Sequence, residues 1–322
     1  MNKILVFFPN YGSGIGSCLI TFSILLEVAK FLKFDFAVDW SKRAQLKDKN
    51  CCIFEKFFEY PNNLEGTKIY YGNNIYDRFT KKGKLIKPND LFNNNLNRQI
   101  YVARNSCSEN LIKNYIPNYN EVIKKNLKNL NFIFKQNRLN ILRQIVKENF
   151  CSVHLRTGNN EFSTTSPYWK RDSFIKRKLP FILISRVNLY VKKLNKKIIF
   201  KNKYIFTDSK KLLSYFVNKN FYTIQNKFIN ENINYKNYFD NLEEGLDFFE
   251  QSLFEILIMS KATLLIWDGS GFAKAAILLS NKKSNVQINK LLGYYKFLDD
   301  FHKLFVLFKR TFTKRSLLNI TK

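Results

Sequence analysis

Short apolar runs separated by polar or glycine-rich turns recur along the chain, and their spacing switches between a strand period and a helical one. Lys3–Phe8 is a brief apolar run that reads as a strand. Asn10–Ser17 is rich in glycine and reads as a turn. From Cys18 to Lys33 the apolar residues fall at Leu19, Ile20, Phe22, Leu25, Leu26, Ala29 and Leu32, which is helical spacing. Phe34–Trp40 then reads as a second strand. The opening is therefore β-α-β, the start of an α/β sheet.

The stretch from Ser41 to Asn140 has little clean periodicity, many Asn and Tyr residues, and turn signals at Tyr60-Pro61-Asn62 and Gly72-Asn73. Insertions around a binding site and surface loops both fit it. Rhythm returns with a helix over Leu139–Asn149, a strand at Phe150–Leu155 and a polar loop at Arg156–Ser166. A helix at Phe181–Leu194 follows Pro180, then a strand at Lys203–Phe206, a helix at Lys210–Val217 and a strand at Phe221–Ile224. A helix at Leu246–Ser260, a strand at Thr263–Trp267 and a helix at Phe272–Leu279 complete this half. Strand and helix alternate, which predicts a second parallel α/β unit. The domains expected are 1–145, 146–296 and a C-terminal segment 297–322.

The chain has 322 residues, enough for two ordinary domains sharing a cleft. Hydrophobic residues make up 45%, which excludes a mainly disordered chain. Five cysteines without regular spacing argue against a disulfide scaffold. Two histidines and no Cys-x-x-Cys pair argue against zinc, and no metal is expected. No apolar run approaches the roughly 18–20 residues of a membrane span. The N-terminus reads as a strand and not as a signal peptide. A cytoplasmic protein, with peripheral contact to the inner membrane left open, is the expectation.

The net charge is +29, which raises nucleic acid or an anionic membrane as partners. The charge is spread along the chain and accompanies heavy use of Lys, Asn, Ile and Phe, so it reads as compositional, and no nucleic acid is expected. Phe297–Arg315 differs. It interleaves Phe301, Leu304, Phe305, Phe308 and Phe312 with Lys303, Lys309, Arg310, Lys314 and Arg315. Such a helix suits an anionic lipid surface, or packing across two domains.

Ligands of doubly wound sheets bind outside the carboxyl ends of the strands. Four loops qualify. Gly12, Gly14 and Gly16 lie in the first; the spacing fails the dinucleotide fingerprint because Ser17 stands at the third glycine position. Its glycines serve either a tight turn with close backbone approach or a sugar or phosphate brought to the backbone. The second runs His154-Leu155-Arg156-Thr157-Gly158-Asn159-Asn160-Glu161. His154 and Arg156 alternate on the strand and share a face. An arginine at a strand exit can grip a diphosphate in bidentate fashion. The third, Thr207-Asp208-Ser209, caps a helix start. In the fourth, Ser270 and Gly271 open a helix whose amides could hold a phosphate. Glu255, on the preceding helix, could accept the two parallel N–H groups of a guanine edge.

Together these segments resemble a known family. Val153-His154-Leu155-Arg156-x-Gly158-Asn159, with Glu161 and Pro167-Tyr168-Trp169, resembles the rhizobial nodulation-type fucosyltransferases. More broadly it resembles the superfamily of α1,6-, α1,2- and protein O-fucosyltransferases with their His-x-Arg motif. Gly14–Leu19 followed by Val38-Asp39-Trp40 resembles the family's opening. Tyr204–Ser209 resembles its second donor motif, and Glu255–Ser260 with Leu265–Phe272 its third. The resemblance implies an α/β, GT-B-like fold of two Rossmann-like domains facing across a cleft. It implies inverting, metal-independent transfer of L-fucose from GDP-fucose to a glycan hydroxyl, with an α1,6 linkage to a GlcNAc-containing sugar as one form, and no cofactor. By position, Arg156 would hold the β-phosphate and His154 would orient the nucleotide or Arg156. Gly158 and Asn159 would line the donor site. Asp208 would shape the pocket, Glu255 would lie near guanine, and Ser270 and Gly271 would contact phosphate. Glu161 is the candidate base, with Asp39 its rival.

The chain departs from the family where Thr157 replaces a second basic residue, and Asp268 sits near the presumed phosphates. No acceptor residue carries over. Two alternatives stand: a transferase of the same architecture using another nucleotide sugar, and a non-catalytic basic protein binding nucleic acid or membrane.

Overall fold

The computed structural model describes residues 2–9, 14–40, 53–72, 74–92, 96–107, 109–116, 118–155, 195, 198–207, 210–224, 242–267, 270–281 and 285–287. The first half holds strands β1 (Ile4–Phe7), β2 (Asp35–Val38), β3 (Phe58–Glu59), β4 (Asn63–Leu64), β5 (Thr67–Tyr70), β6 (Lys84–Leu85), β7 (Ile100–Ala103) and β8 (Asn131–Phe132). Its helices are α1 (Ile15–Phe31), α2 (Ile53–Phe57), α3 (Glu109–Tyr115), α4 (Tyr119–Lys128) and α5 (Gln136–Ile145), with a single π-helical turn at Tyr76–Thr80.

One sheet runs in the order β4-β5-β2-β1-β7-β6. Its pairings are parallel apart from the β4–β5 hairpin. The central strands β1, β2 and β7 are mainly apolar because both faces are covered. Ile4, Val6, Ala37 and Val102 face one apolar cluster with Ile75 and Phe79. Leu5, Phe7, Phe36, Val38 and Tyr101 face the larger one on the opposite side.

The second half supplies β9 (Phe150–Leu155), β10 (Asn202–Thr207), β11 (Leu264–Trp267) and β12 (Asn285–Gln287), in the order β10-β9-β11-β12 and all parallel. Its helices are α6 (Lys210–Val217), α7 (Leu242–Lys261) and α8 (Gly271–Leu279). The large apolar cluster is continuous across both halves, joining Phe22 and Leu25 of α1 with Phe254 of α7 and Ala275 and Ala276 of α8. The Phe134 ring meets the Phe254 ring edge-on at 5.7 Å.

The α/β class and the two parallel sheets agree with the sequence pattern. Differences are local. Helix α1 begins at Ile15 with Gly14 as its N-cap residue, so Gly16 lies in the first helical turn and not in the loop. The strand predicted over 34–40 pairs only at Asp35–Val38. The helix predicted at 139–149 starts earlier and stops at Ile145. The strand predicted at Phe221–Ile224 reduces to one bridge between Tyr222 and Tyr204. The region 41–140 contributes β5 and β7 to the sheet, and α4 packs on α1. Those strands have four residues each, too few to display a period among polar neighbours. Among the described residues, no helix is long and apolar enough to cross a membrane. The predicted helices at 181–194 and 297–315 lie outside the described residues.

Candidate functional site

Each sheet has one point where the strand order reverses, and such points are where open α/β sheets bind ligands. In the second sheet it lies between β9 and β11. There the register places His154 opposite Trp267. The His154 side chain is buried, 4% exposed, on the sheet face shared with Phe150 and Ser152. Its Nδ1 lies 3.3 Å from Ser270 Oγ, and its ring stacks on Phe272 at 5.3 Å and 21°. Ser270 has extended backbone and accepts the Ala273 amide at 3.3 Å, which makes it the N-cap of α8. Its hydroxyl can give a proton to Nδ1 or accept one from it. His154 therefore fixes the start of α8 against the tip of β9, and the two sequence-selected loops meet at hydrogen-bond distance.

The same sheet face carries polar groups that the sequence did not reveal. The Trp267 indole N–H and the Ser152 hydroxyl are buried without a hydrogen-bond partner. Ser152 pairs in register with Leu265, two positions before Trp267, so both lie on the His154 face. In sequence, one serine and one tryptophan in apolar runs look like core.

Two predicted glycines are brought together by packing. A Cβ on Gly16 would stand 2.5 Å from Phe272 Cα and 2.6 Å from the Gly271 carbonyl oxygen. Gly16 thus serves close approach of α1 to the start of α8 rather than an open backbone for a ligand. A Cβ on Gly271 would lie 2.8 Å from Ser17 Oγ. The starts of α1 and α8 are joined across the two halves.

Glu255 is half-buried on α7, and its Oε1 accepts the Gln251 amide at 2.8 Å. Gln251 in turn accepts Arg138 Nη1 at 2.5 Å. Arg138 also lies 3.5 Å from the buried Glu250 carboxylate and 5.2 Å from the Phe254 ring centre. Glu255 so belongs to a polar relay linking α5 to α7. Asp39, the rival base, is fully buried and accepts the Thr80 hydroxyl at 2.5 Å. Gly12, Arg156, Thr157, Gly158, Asn159, Glu161, Asp208 and Asp268 lie outside the described residues. Among the described residues, no group of three His, Cys, Asp or Glu side chains could hold a metal ion.

No protein-family profile matches the sequence, and no curated protein sequence does. Solved structures do match. One is the NodZ α1,6-fucosyltransferase soaked with GDP-fucose, with a TM-score of 0.60 and 13% identity over 87% of this chain and 93% of that one. The fucosyltransferase NodZ from Bradyrhizobium gives a TM-score of 0.58 at 13% identity, covering 87% and 94%. A variant of FUT1 from Arabidopsis thaliana, in complex with GDP, gives 0.50 at 10% identity, covering 89% and 70%. The chain has the fold of these fucosyltransferases. In that GT-B architecture the sequence-selected His154 and Ser270 fall at the reversal point of the second sheet, beside the junction of α1 and α8.

Proposed function

We propose that this protein transfers L-fucose from GDP-fucose to a hydroxyl of a glycan. The observation that carries the reading is the His154–Ser270 contact at the carboxyl edge of β9 and β11, in a fold shared with a fucosyltransferase soaked with GDP-fucose. The N-terminus of α8 opens beside His154, and a helix start favours a diphosphate. His154 holds that terminus in place. Arg156, two positions beyond His154, binds the β-phosphate and takes up charge on the departing GDP.

The transfer inverts the anomeric carbon and uses no metal. The acceptor oxygen attacks C1 of fucose, the C1–O bond to phosphate breaks, and its electron pair leaves with GDP. Glu161 receives the hydroxyl proton. A GlcNAc-containing acceptor and an α1,6 linkage fit the resemblance in the motifs. In the cell the enzyme works in the cytoplasm. The two Rossmann-like units divide near residue 145.

The test is turnover of GDP-fucose, read as GDP release with and without a glycan panel. Wild type releases GDP, and Arg156→Ala abolishes release while retaining its melting temperature. Undiminished turnover in Arg156→Ala removes the assignment. Turnover of a UDP-sugar in place of GDP-fucose moves it to another nucleotide sugar.

A further inference from the structure

The first sheet has its own reversal point, between β1 and β7. Phe8 follows β1 directly and Arg104 follows β7 directly, and the Phe8 amide donates to the Ala103 carbonyl at 2.9 Å. The two residues therefore sit side by side at the carboxyl edge, where a ligand crevice is expected. The Arg104 guanidinium lies over the Phe8 ring, 5.4 Å from its centre. Tyr76, from the π-helical turn, places its ring 6.2 Å from that of Phe8. Phe8 and Tyr76 are half-buried and Arg104 is exposed.

Arg104 differs from the cations that hold the fold together. Lys30, Lys125, Lys135 and Arg138 each meet a carboxylate. No carboxylate among the described residues lies within ion-pair distance of Arg104. A guanidinium held over a ring by cation–π attraction carries further N–H groups that can take an anion in bidentate fashion. The neighbouring rings offer apolar surface of the kind that covers the C–H face of a sugar.

We propose that Phe8, Tyr76 and Arg104 form an acceptor subsite selective for an acidic sugar, one bearing a carboxylate or phosphate. The anion takes the fork of Arg104 in bidentate fashion, and the pyranose lies against the aromatic pair. The proposal rests on the fucosyl-transfer reading for its role, and on the geometry at β1 and β7 for its place. The second sheet's crevice takes the donor and the first sheet's crevice takes the acceptor.

The experiment is calorimetric titration of the full chain, loaded with GDP, using three probes: hyaluronan tetrasaccharide for a carboxylate, N-acetylglucosamine 6-phosphate for a phosphate, and chitotetraose as the neutral control. Wild type binds at least one acidic probe more tightly than chitotetraose. Arg104→Gln weakens that binding at least about tenfold, the loss of a charge-assisted hydrogen bond. Lys33→Gln, an exposed lysine following α1, leaves it unchanged, which separates site binding from the general attraction of a basic protein. Equal binding by Arg104→Gln and wild type overturns the subsite, as does binding of neither acidic probe. Thermal stabilisation by GDP is read first on the same samples. If GDP stabilises and Arg104→Gln has no effect, only the acceptor inference fails. If GDP does not stabilise, the transfer reading fails and takes the acceptor role with it.

Discussion

Replacing Gly16 by alanine tests whether the two halves are clamped where α1 meets α8. The added Cβ would stand 2.5 Å from Phe272 Cα, 2.6 Å from the Gly271 oxygen and 2.8 Å from the Phe272 nitrogen. Ordinary carbon contacts are about 3.5–4.0 Å, so the methyl penetrates by roughly 1 Å. All three atoms are backbone, and no side-chain rotation relieves them. At an unencumbered helical position the same change would stabilise by about 0.5–1 kcal/mol, because glycine loses more chain entropy on folding. Overpacking costs about 1–3 kcal/mol or more. The net is a destabilisation of about 1–2 kcal/mol. With unfolding entropy near 2.1 cal/mol/K per residue, a chain of 322 residues should melt about 1.5–3 °C lower. Gly271→Ala meets only the Ser17 hydroxyl, at 2.8 Å, and that side chain can rotate away. Its cost should stay within about 1 kcal/mol. Differential scanning fluorimetry on the two variants decides the matter. A Gly16→Ala variant that melts above wild type, or equal shifts for both variants, refutes the clamp.

The relay between α5 and α7 gives a second prediction: Arg138→Leu strips a cation from the buried Glu250 and a donor from Gln251, and should cost about 1–3 kcal/mol in a urea titration. A midpoint equal to wild type would show that the relay contributes nothing. Glu65 accepts from Lys125 and meets Lys30 at 2.6 Å, and these two lysines lower its carboxyl to about 2. A carboxyl depressed on folding stabilises above its unfolded value of about 4.3 and loses that contribution as pH falls through its folded value. The melting difference between wild type and Glu65→Gln should therefore be full at pH 7, shrink below about pH 4 and close near pH 2; a difference that grows with acid contradicts this. Burial pushes the Cys107 and Cys151 thiols up to about 12, so iodoacetamide at pH 8 should leave both unmodified in the native protein and label both in urea, read by peptide mass spectrometry. Native labelling at the unfolded rate would contradict their burial.

The sequence pattern made the β1–α1–β2 opening and strands β9, β10 and β11 legible, because each is mainly apolar and bounded by turn or charged residues. It also brought His154 and Ser270 forward as site residues, since each ends or begins an element at a strand's carboxyl edge. Other features depend on information that a one-dimensional pattern does not hold. Strands β5 and β7 are short and lie among Asn and Lys, so only their pairing with β2 and β1 identifies them. Gly16 looked like loop because a glycine-rich run has the same composition whether it faces a ligand or another helix. Its purpose follows from a neighbour over 250 positions away. Glu255 looked like a lone surface acid or a guanine partner, and its tie to Arg138 through Gln251 crosses more than a hundred residues of sequence. Phe8 and Arg104 are separated by nearly as many, and only the parallel register of β1 and β7 sets them together.

The central claim is that the crevice at β9 and β11 binds a guanosine diphosphate sugar, and ligand-dependent melting addresses it most directly. A ligand bound by the native state alone raises the melting temperature, by about 2.7 kcal/mol of added stability at a hundredfold excess over its dissociation constant. GDP should raise it clearly, UDP and NAD should not, and Ser270→Ala should diminish the GDP shift. Equal shifts from all three nucleotides, or none from GDP, would contradict the account.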